Sequence, residues 1–277
     1  EVTFPCKDVP ELLARFMKDR KSHAGGEAPR NLMPMSEVLT RMVKNIDDRY
    51  YIGDQWQYYC PENANWMSYG WIGGLMNTYP MLALGDAEHL QKVKNTFDFA
   101  LPRAKGKSGY YYDVLGADGK PFSRDAAANH PGVGLTRKNG DILYWMVKQF
   151  MLLKEQEKAN AIDPEWETNV RLLADAFVNT WKKHGTWGNY LDVESGDIAV
   201  YNTTSGAMAV AGLALASGYY NNPDYLKVAC EAAKDYYDSF ALVGFTSGGC
   251  GDILQNADSE TAVALLTSLM TLYEVTG

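Results

Sequence analysis

A nearly apolar segment over 139–157 begins with Asn139-Gly140-Asp141-Ile142-Leu143-Tyr144-Trp145-Met146-Val147. A helix that is apolar all round is buried, whereas an amphipathic helix keeps one face in water. The other nearly apolar segments are 65–85, 203–220 and 258–277. Amphipathic segments that carry the charge alternate with them: 36–51, 86–103, 163–184 and 223–240. This alternation predicts an all-α fold with an inner ring of buried helices and an outer ring.

Local signals place several helix ends and a few strands. Pro164 predicts the first turn of a helix of about 20 residues that ends at Gly185. Strand signals are limited to 110–114 and 190–193, which are short hairpin candidates in loops rich in Gly and Asp. The predicted N-caps are Ser36, Asp163, Asn222 and Asp258.

Composition excludes several classes of protein. The 277 residues carry a net charge of −8, which argues against binding to a nucleic-acid backbone. The chain lacks a run of 18 apolar residues, so we expect no transmembrane helix and no membrane partner. Its start, Glu1-Val2-Thr3, is typical of a mature or trimmed chain, and we expect a secreted or periplasmic protein. We predict one domain over 1–277, and the sequence leaves the oligomeric state open.

Candidate catalytic residues lie near the starts of the inner segments. The inner helices of an alternating ring run the same way, so their N-termini and the polar loops before them gather at one mouth. Asp141 and Glu260 lie at two such starts, and Asp252 lies in a glycine-rich turn. Glycoside hydrolysis needs a pair of carboxyl groups. We therefore predict Asp141 with either Asp252 or Glu260 as the acid/base pair. Each also fits a structural role, as a first-turn acid or a turn residue.

Aromatic and polar residues of the same loops suit a sugar ligand. The chain has 18 Tyr and 7 Trp, and many of them precede the buried segments. Flat rings pack against the C–H faces of sugars, although packing between helix layers is the structural alternative for each ring. Asp258 is equally explained as an N-cap. The predicted substrate-binding residues are Trp66, Trp71, His130, Arg137, Asn139, Tyr144, Trp187 and Asp258.

No metal site or cofactor is predicted. Asp192, Glu194 and Asp197 lie close together and carry the oxygen ligands that Ca²⁺ prefers. Their spacing is not that of an EF-hand, so a solvated loop is the better interpretation. The four cysteines lie far apart and lack zinc-site spacing.

The pattern resembles the six-hairpin glycosidase-like family of (α/α)6 toroids over about residues 36–277. Such toroids use twelve helices, and about nine are predicted here, which implies an incomplete or trimmed toroid. The resemblance implies a carbohydrate substrate and hydrolysis of a glycosidic bond in an oligo- or polysaccharide. Two alternatives stay open: a polysaccharide lyase or sugar epimerase using His130 and Tyr144, and a non-catalytic glycan-binding protein. The resemblance is carried by the stretches 71–76, 137–145 and 251–260.

Overall fold

The computed structural model describes residues 5–23, 33–60, 66–70, 74–122, 132–249 and 256–277. It divides the chain into two compact units, Glu1–Lys44 and Asn45–Gly277. The single domain over 1–277 stays a prediction. The helices of the described residues are α1 (Val9–His23), α2 (Met35–Tyr50), α3 (Gly74–Ala83), α4 (Ala87–Ala100), α5 (Thr136–Glu155), α6 (Pro164–His184), α7 (Ala207–Tyr220), α8 (Pro223–Tyr236) and α9 (Ser259–Thr276).

Short antiparallel strands decorate the loops between these helices. They form one two-stranded sheet, β1-β2, and two three-stranded sheets, β3-β4-β5 and β6-β7-β8, within the described ranges. The strands are β1 (Tyr51–Ile52), β2 (Tyr58–Tyr59), β3 (Trp66–Ser68), β4 (Val114–Gly116), β5 (Pro121–Phe122), β6 (Val133–Leu135), β7 (Tyr190–Asp192) and β8 (Ile198–Val200). The predicted strand over 190–193 is confirmed, while the one over 110–114 begins only at its last residue.

Two of the predicted inner helices, α5 and α7, are neighbours in space and run the same way. A Cβ built on Gly140 of α5 would lie 2.8 Å from the Ala209 nitrogen of α7. Three residues further along both helices, a Cβ on Gly212 would lie 2.8 Å from the Leu143 side chain. Because the contacts advance by three residues in the same direction on both helices, α5 and α7 are parallel. Glycine permits their close approach.

Hydrogen bonds join the other inner helices to this pair. Gln149 of α5 donates to the Leu75 carbonyl of α3 over 2.8 Å. On the other side, the Ser268 hydroxyl of α9 donates to the Ala207 carbonyl of α7 over 2.7 Å. The inner helices are therefore arranged in the order α3, α5, α7, α9.

The amphipathic helices α4, α6 and α8 cover the inner helices with their apolar faces. Trp166 of α6 is buried and makes an edge contact with Phe97 of α4, with ring centroids 5.2 Å apart. Tyr225 of α8 is buried and its hydroxyl donates to Asp175 of α6 over 2.6 Å. The predicted alternation of buried and half-exposed helices is confirmed for this part of the chain.

Three of the four predicted N-caps are confirmed, and one is wrong. Asp163, Asn222 and Asp258 each accept a backbone N–H of the helix that follows, and Gly185 ends α6 in the left-handed conformation at φ 66°. Helix α2, however, begins at Met35, before Ser36. The backbone carbonyl of Pro34 accepts the first N–H groups of α2, so Ser36 already lies in the first turn.

The predicted inner segment over 65–85 is only partly helical. Helix α3 occupies Gly74–Ala83, while Trp66–Ser68 forms strand β3 and pairs with Val114–Gly116. The pairing provides hydrogen-bond partners for backbone N–H groups of β3, whereas the first N–H groups of a helix have no partner within the helix. Among the described helices, none is long and apolar enough to cross a membrane.

Candidate functional site

Helix α5 places the first group of candidate residues. We predict a turn at Asn139-Gly140 followed by a helix, but α5 begins earlier, at Thr136. Gly140 lies inside the helix, at a position where α7 leaves no room for a Cβ. Asp141 is therefore in the second turn of α5, and its side chain is 2 % exposed.

Arg137 connects the starts of three inner helices. Its Nε donates to Asp141 Oδ2 over 3.0 Å on the same helix face. Its Nη1 donates to the backbone carbonyl of Glu260 in the first turn of α9 over 3.1 Å. Its backbone N–H donates to the hydroxyl of Ser205, just before α7, over 3.0 Å. The starts of α5, α7 and α9 thus meet at one guanidinium, as predicted, whereas α3 begins beside Gln149, in the fourth turn of α5.

The first turn of α9 contributes Glu260 and Asp258 in different roles. Asp258 Oδ1 accepts the Thr261 N–H over 2.6 Å, and Oδ2 accepts the Gly249 N–H over 3.0 Å. Both oxygens of Asp258 are thereby engaged in capping the helix and fixing the preceding loop, the structural alternative for this residue. Glu260 is exposed at the same helix start.

Asn139 faces the core and holds a loop. Its amide Oδ1 accepts the Tyr111 N–H over 2.7 Å, and its Nδ2 donates to the Tyr111 carbonyl over 3.0 Å. This pair of bonds copies a strand pairing, and Asn139 is fully buried. We predict a sugar ligand for Asn139; the structure instead engages its amide with the backbone of the chain.

The tyrosines nearest to this helix start are structural. Tyr69 donates to the Ala100 carbonyl over 2.6 Å, and Tyr111 donates to the Leu101 carbonyl over 3.1 Å. Burial raises the pKa of both hydroxyls well above the ordinary value, chiefly by desolvation of the charged form. Both groups therefore stay protonated at neutral pH.

The expected platform of loop aromatics lies mostly in the core. Trp187 is fully buried and donates through Nε1 to the Phe177 carbonyl over 2.8 Å. It has no exposed face on which a sugar could stack, because Phe177, Trp181 and Tyr236 surround it. The other fully buried loop tyrosines are Tyr58, Tyr59, Tyr110 and Tyr190.

Tyr144 belongs to a group of rings further along α5. It is 6 % exposed, and its hydroxyl accepts a hydrogen bond from Lys148 Nζ over 3.1 Å. Trp145 packs against Tyr144, Tyr79 of α3 packs against Trp145, and both Trp145 and Tyr79 are half-buried. Sequence reasoning missed Lys148, although a charged residue inside an otherwise apolar segment was the available signal.

The remaining predicted residues are scattered. Trp66 is half-buried in β3, opposite Gly116. Sequence reasoning also missed Ser205, whose hydroxyl positions Arg137 and whose polar neighbours gave no separate signal. The residues Trp71, His130 and Asp252 lie outside the described residues and stay predictions.

The acidic loop over 192–197 holds itself together with its own backbone. Asp192 Oδ1 accepts the Glu194 and Ser195 N–H groups, while Asp197 pairs with Lys183 over 2.5 Å. In the described part of the chain, no group of three His, Cys, Asp or Glu side chains could hold a metal ion.

No family model and no curated protein sequence matches the chain. Solved structures do. A possible member of the GH105 family from Salmonella enterica serovar Paratyphi A superposes with a TM-score of 0.65 at 16% identity, covering 95% of this chain and 69% of that one. The unsaturated glucuronyl hydrolase of Bacillus sp. GL1 gives 0.59 at 12% identity, covering 84% and 66%.

The cellobiose 2-epimerase of Spirochaeta thermophila is also similar, with a TM-score of 0.56 at 12% identity, covering 88% of this chain and 67% of that one. At these identities, the likeness shows the fold. The alternation of inner and outer helices and these superpositions agree, and the chain has the (α/α)6 toroid fold of these structures.

Proposed function

We propose that the chain binds carbohydrate where its inner helices begin and hydrolyses a glycosidic bond in an oligo- or polysaccharide. The observation that carries this proposal is the Arg137 guanidinium, which binds the Asp141 carboxylate and the Glu260 carbonyl at one helix-start cluster. Two residues with carboxyl groups therefore belong to one site, as glycoside hydrolysis requires. Two of the similar toroids, a possible GH105 member and an unsaturated glucuronyl hydrolase, support the same proposal.

The ion pair suggests a division of labour between the carboxyl groups. Arg137 supplies the counter-charge of the Asp141 carboxylate and fixes its orientation, so we assign Asp141 the role of base or nucleophile. Its low exposure keeps water away from the pair and strengthens the interaction. The proton donor is then Glu260, which is exposed in the first turn of α9, or Asp252. Tyr69 and Tyr111 are unsuited to the role of base because burial keeps their hydroxyls protonated.

The test is the Asp141→Asn variant against a panel of oligosaccharides. We expect loss of hydrolysis by at least ~10³-fold, while binding measured by calorimetry persists, because the amide keeps the shape and removes the charge. Asp238→Asn is the matched control, since Asp238 is an exposed carboxylate that pairs with Lys234 of α8. Unchanged turnover of Asp141→Asn would refute the assignment.

A second candidate is a lyase on the same fold. It is favoured by one observation: Lys148 Nζ donates a hydrogen bond to the Tyr144 hydroxyl and so orients this candidate base. A lyase forms an unsaturated product that absorbs in the ultraviolet, whereas a hydrolase does not. If that absorbance grows with the wild-type chain and not with Tyr144→Phe, the reaction is elimination and not hydrolysis. Binding without turnover across the panel would leave a glycan-binding protein.

A further inference from the structure

Lys148 lies in an aromatic enclosure formed by Tyr79, Tyr144 and Trp145. Its Nζ is 5.4, 5.2 and 5.4 Å from the centroids of these three rings, within the range of cation–π attraction. The lysine, Tyr79 and Trp145 are half-buried rather than covered. The enclosure is therefore open on one side, and the rings hold the ammonium in place.

The ammonium of Lys148 keeps donors for a ligand. It has three N–H donors, and the described residues show one hydrogen bond from it, to the Tyr144 hydroxyl. No carboxylate in the described ranges forms an ion pair with it. A half-buried cation without a counter-charge attracts an anion more strongly than an exposed one, since less water screens it.

Helix α5 as a whole is positive in a negative protein. It carries Arg137 and three lysines against two carboxylates, whereas the chain has a net charge of −8. Arg137 is already engaged with Asp141. Lys148 is thus the cation on this helix whose position and partners suit a negatively charged ligand.

The enclosure belongs to the same face of α5 as the candidate site. Asp141, Tyr144 and Lys148 are spaced i, i+3 and i+7, which places them on one side of a helix. Seven residues at a rise of about 1.5 Å each put Lys148 roughly 10 Å along the axis from Asp141. An oligosaccharide with its scissile bond at Asp141 could extend a further sugar unit to Lys148.

We infer that Lys148 and its three aromatic neighbours form a subsite for an acidic sugar, with the ammonium binding the carboxylate or sulfate group. The rings accept the C–H face of the sugar and the ammonium binds its charge, a combination that neither a neutral sugar nor a free anion uses fully. The inference rests on the proposed function, because it adds a charged subsite to that carbohydrate site.

The helix offers a matched control in Lys154. Lys154 also lies over an aromatic ring, with its Nζ 3.8 Å from the centroid of Tyr219. It is exposed, near the end of α5, and outside the enclosure. Its removal changes the net charge by the same amount without touching the proposed subsite.

The experiment measures binding by calorimetry for pairs of ligands that differ only in charge. One pair is an oligogalacturonate and its methyl ester, and the other is a sulfated carrageenan oligosaccharide and its desulfated form. We expect the wild-type chain to bind one acidic member at least ~10-fold more tightly than its neutral partner, the effect of one charge-assisted hydrogen bond. The preferred pair identifies the charged group as carboxylate or sulfate.

The variants decide whether Lys148 causes the preference. Lys148→Gln should bind acidic and neutral members equally, while Lys148→Arg and Lys154→Gln keep the preference. Circular dichroism checks that each variant is folded, and where Lys148→Gln is not, the preference of the wild-type chain between the paired ligands still tests the inference. A wild-type chain without any acid preference, or a preference that survives in Lys148→Gln, overturns the inference. Hydrolysis of neutral sugars without a preference for acidic ones would overturn this subsite but not the proposed function. Binding of acidic sugars without hydrolysis would overturn the proposed function but not this subsite.

Discussion

Replacing Asn139 by alanine tests whether this residue holds the fold or a ligand. Its amide makes two hydrogen bonds to the backbone of Tyr111, of 2.7 and 3.0 Å, and a third to the Leu135 carbonyl over 3.2 Å. Both Asn139 and Tyr111 are fully buried. In Asn139→Ala, the Tyr111 N–H and carbonyl lose these partners, and each buried orphan costs about 1–3 kcal/mol.

We therefore expect the free energy of unfolding to fall by about 3 kcal/mol, measured by urea denaturation followed by tryptophan fluorescence. Asn179→Ala is the control, because Asn179 is exposed on α6 and its change should stay within ~0.5 kcal/mol. A loss below ~1 kcal/mol in Asn139→Ala, combined with loss of sugar binding, would refute the structural role and restore the ligand role.

Three further predictions concern packing and pH. Gly140→Ala should lower the free energy of unfolding by about 1–3 kcal/mol in the same assay, because its Cβ would meet the Ala209 nitrogen at 2.8 Å. Gly218 faces open space, so Gly218→Ala should be neutral or stabilising. Equal effects of the two substitutions would contradict the close contact between α5 and α7. Trp187→Ala should cost about 3–5 kcal/mol, and an unchanged stability with weakened sugar binding would return Trp187 to the ligand site. Burial raises the pKa of Asp47, but hydrogen bonds from Lys92, Tyr59 and His89 outweigh this effect and hold the pKa below 3.8. The ionised Asp47 therefore stabilises the fold above pH 3.8, and this stabilisation is lost as the pH falls through the lowered pKa. In Asp47→Asn, the melting temperature should therefore fall less steeply between pH 5 and about 2 than in the wild-type chain. An unchanged pH dependence would contradict the role of the Asp47 hydrogen bonds.

Much of the helical framework could be predicted because its signals are local. Asp163, Pro164 and Gly185 delimit α6 through cap chemistry that acts within one turn. The alternation of apolar and amphipathic segments likewise needs no knowledge of distant contacts. These signals were sufficient for the fold class.

What could not be predicted depends on partners far away in the sequence. Trp66 joins a strand only because Gly116 lies opposite, and its own segment is apolar enough for a helix. Asn139-Gly140 is a common turn pair, yet Tyr111 and Ala209 keep it inside α5. Contacts that are 123 residues apart, such as Arg137 to Glu260, leave no periodic pattern.

Burial is the second reason for the errors at the site. The loop tyrosines and Trp187 were expected at a ligand surface because their loops precede buried helices. Those loops fold back between the helix layers, and Trp187 fills the space between α6 and α8. Composition does not distinguish an aromatic ring in the core from one at a mouth, since both environments favour large flat side chains.

Hydrogen exchange with an added oligosaccharide tests whether carbohydrate binds where the inner helices begin. The ligand is the panel member that calorimetry shows to bind most tightly, at a concentration that saturates the chain. We predict slower exchange in 136–144 and 256–262, with no change in the outer helix α6. Protection confined to the outer helices, with these two segments unchanged, would contradict binding at the starts of the inner helices.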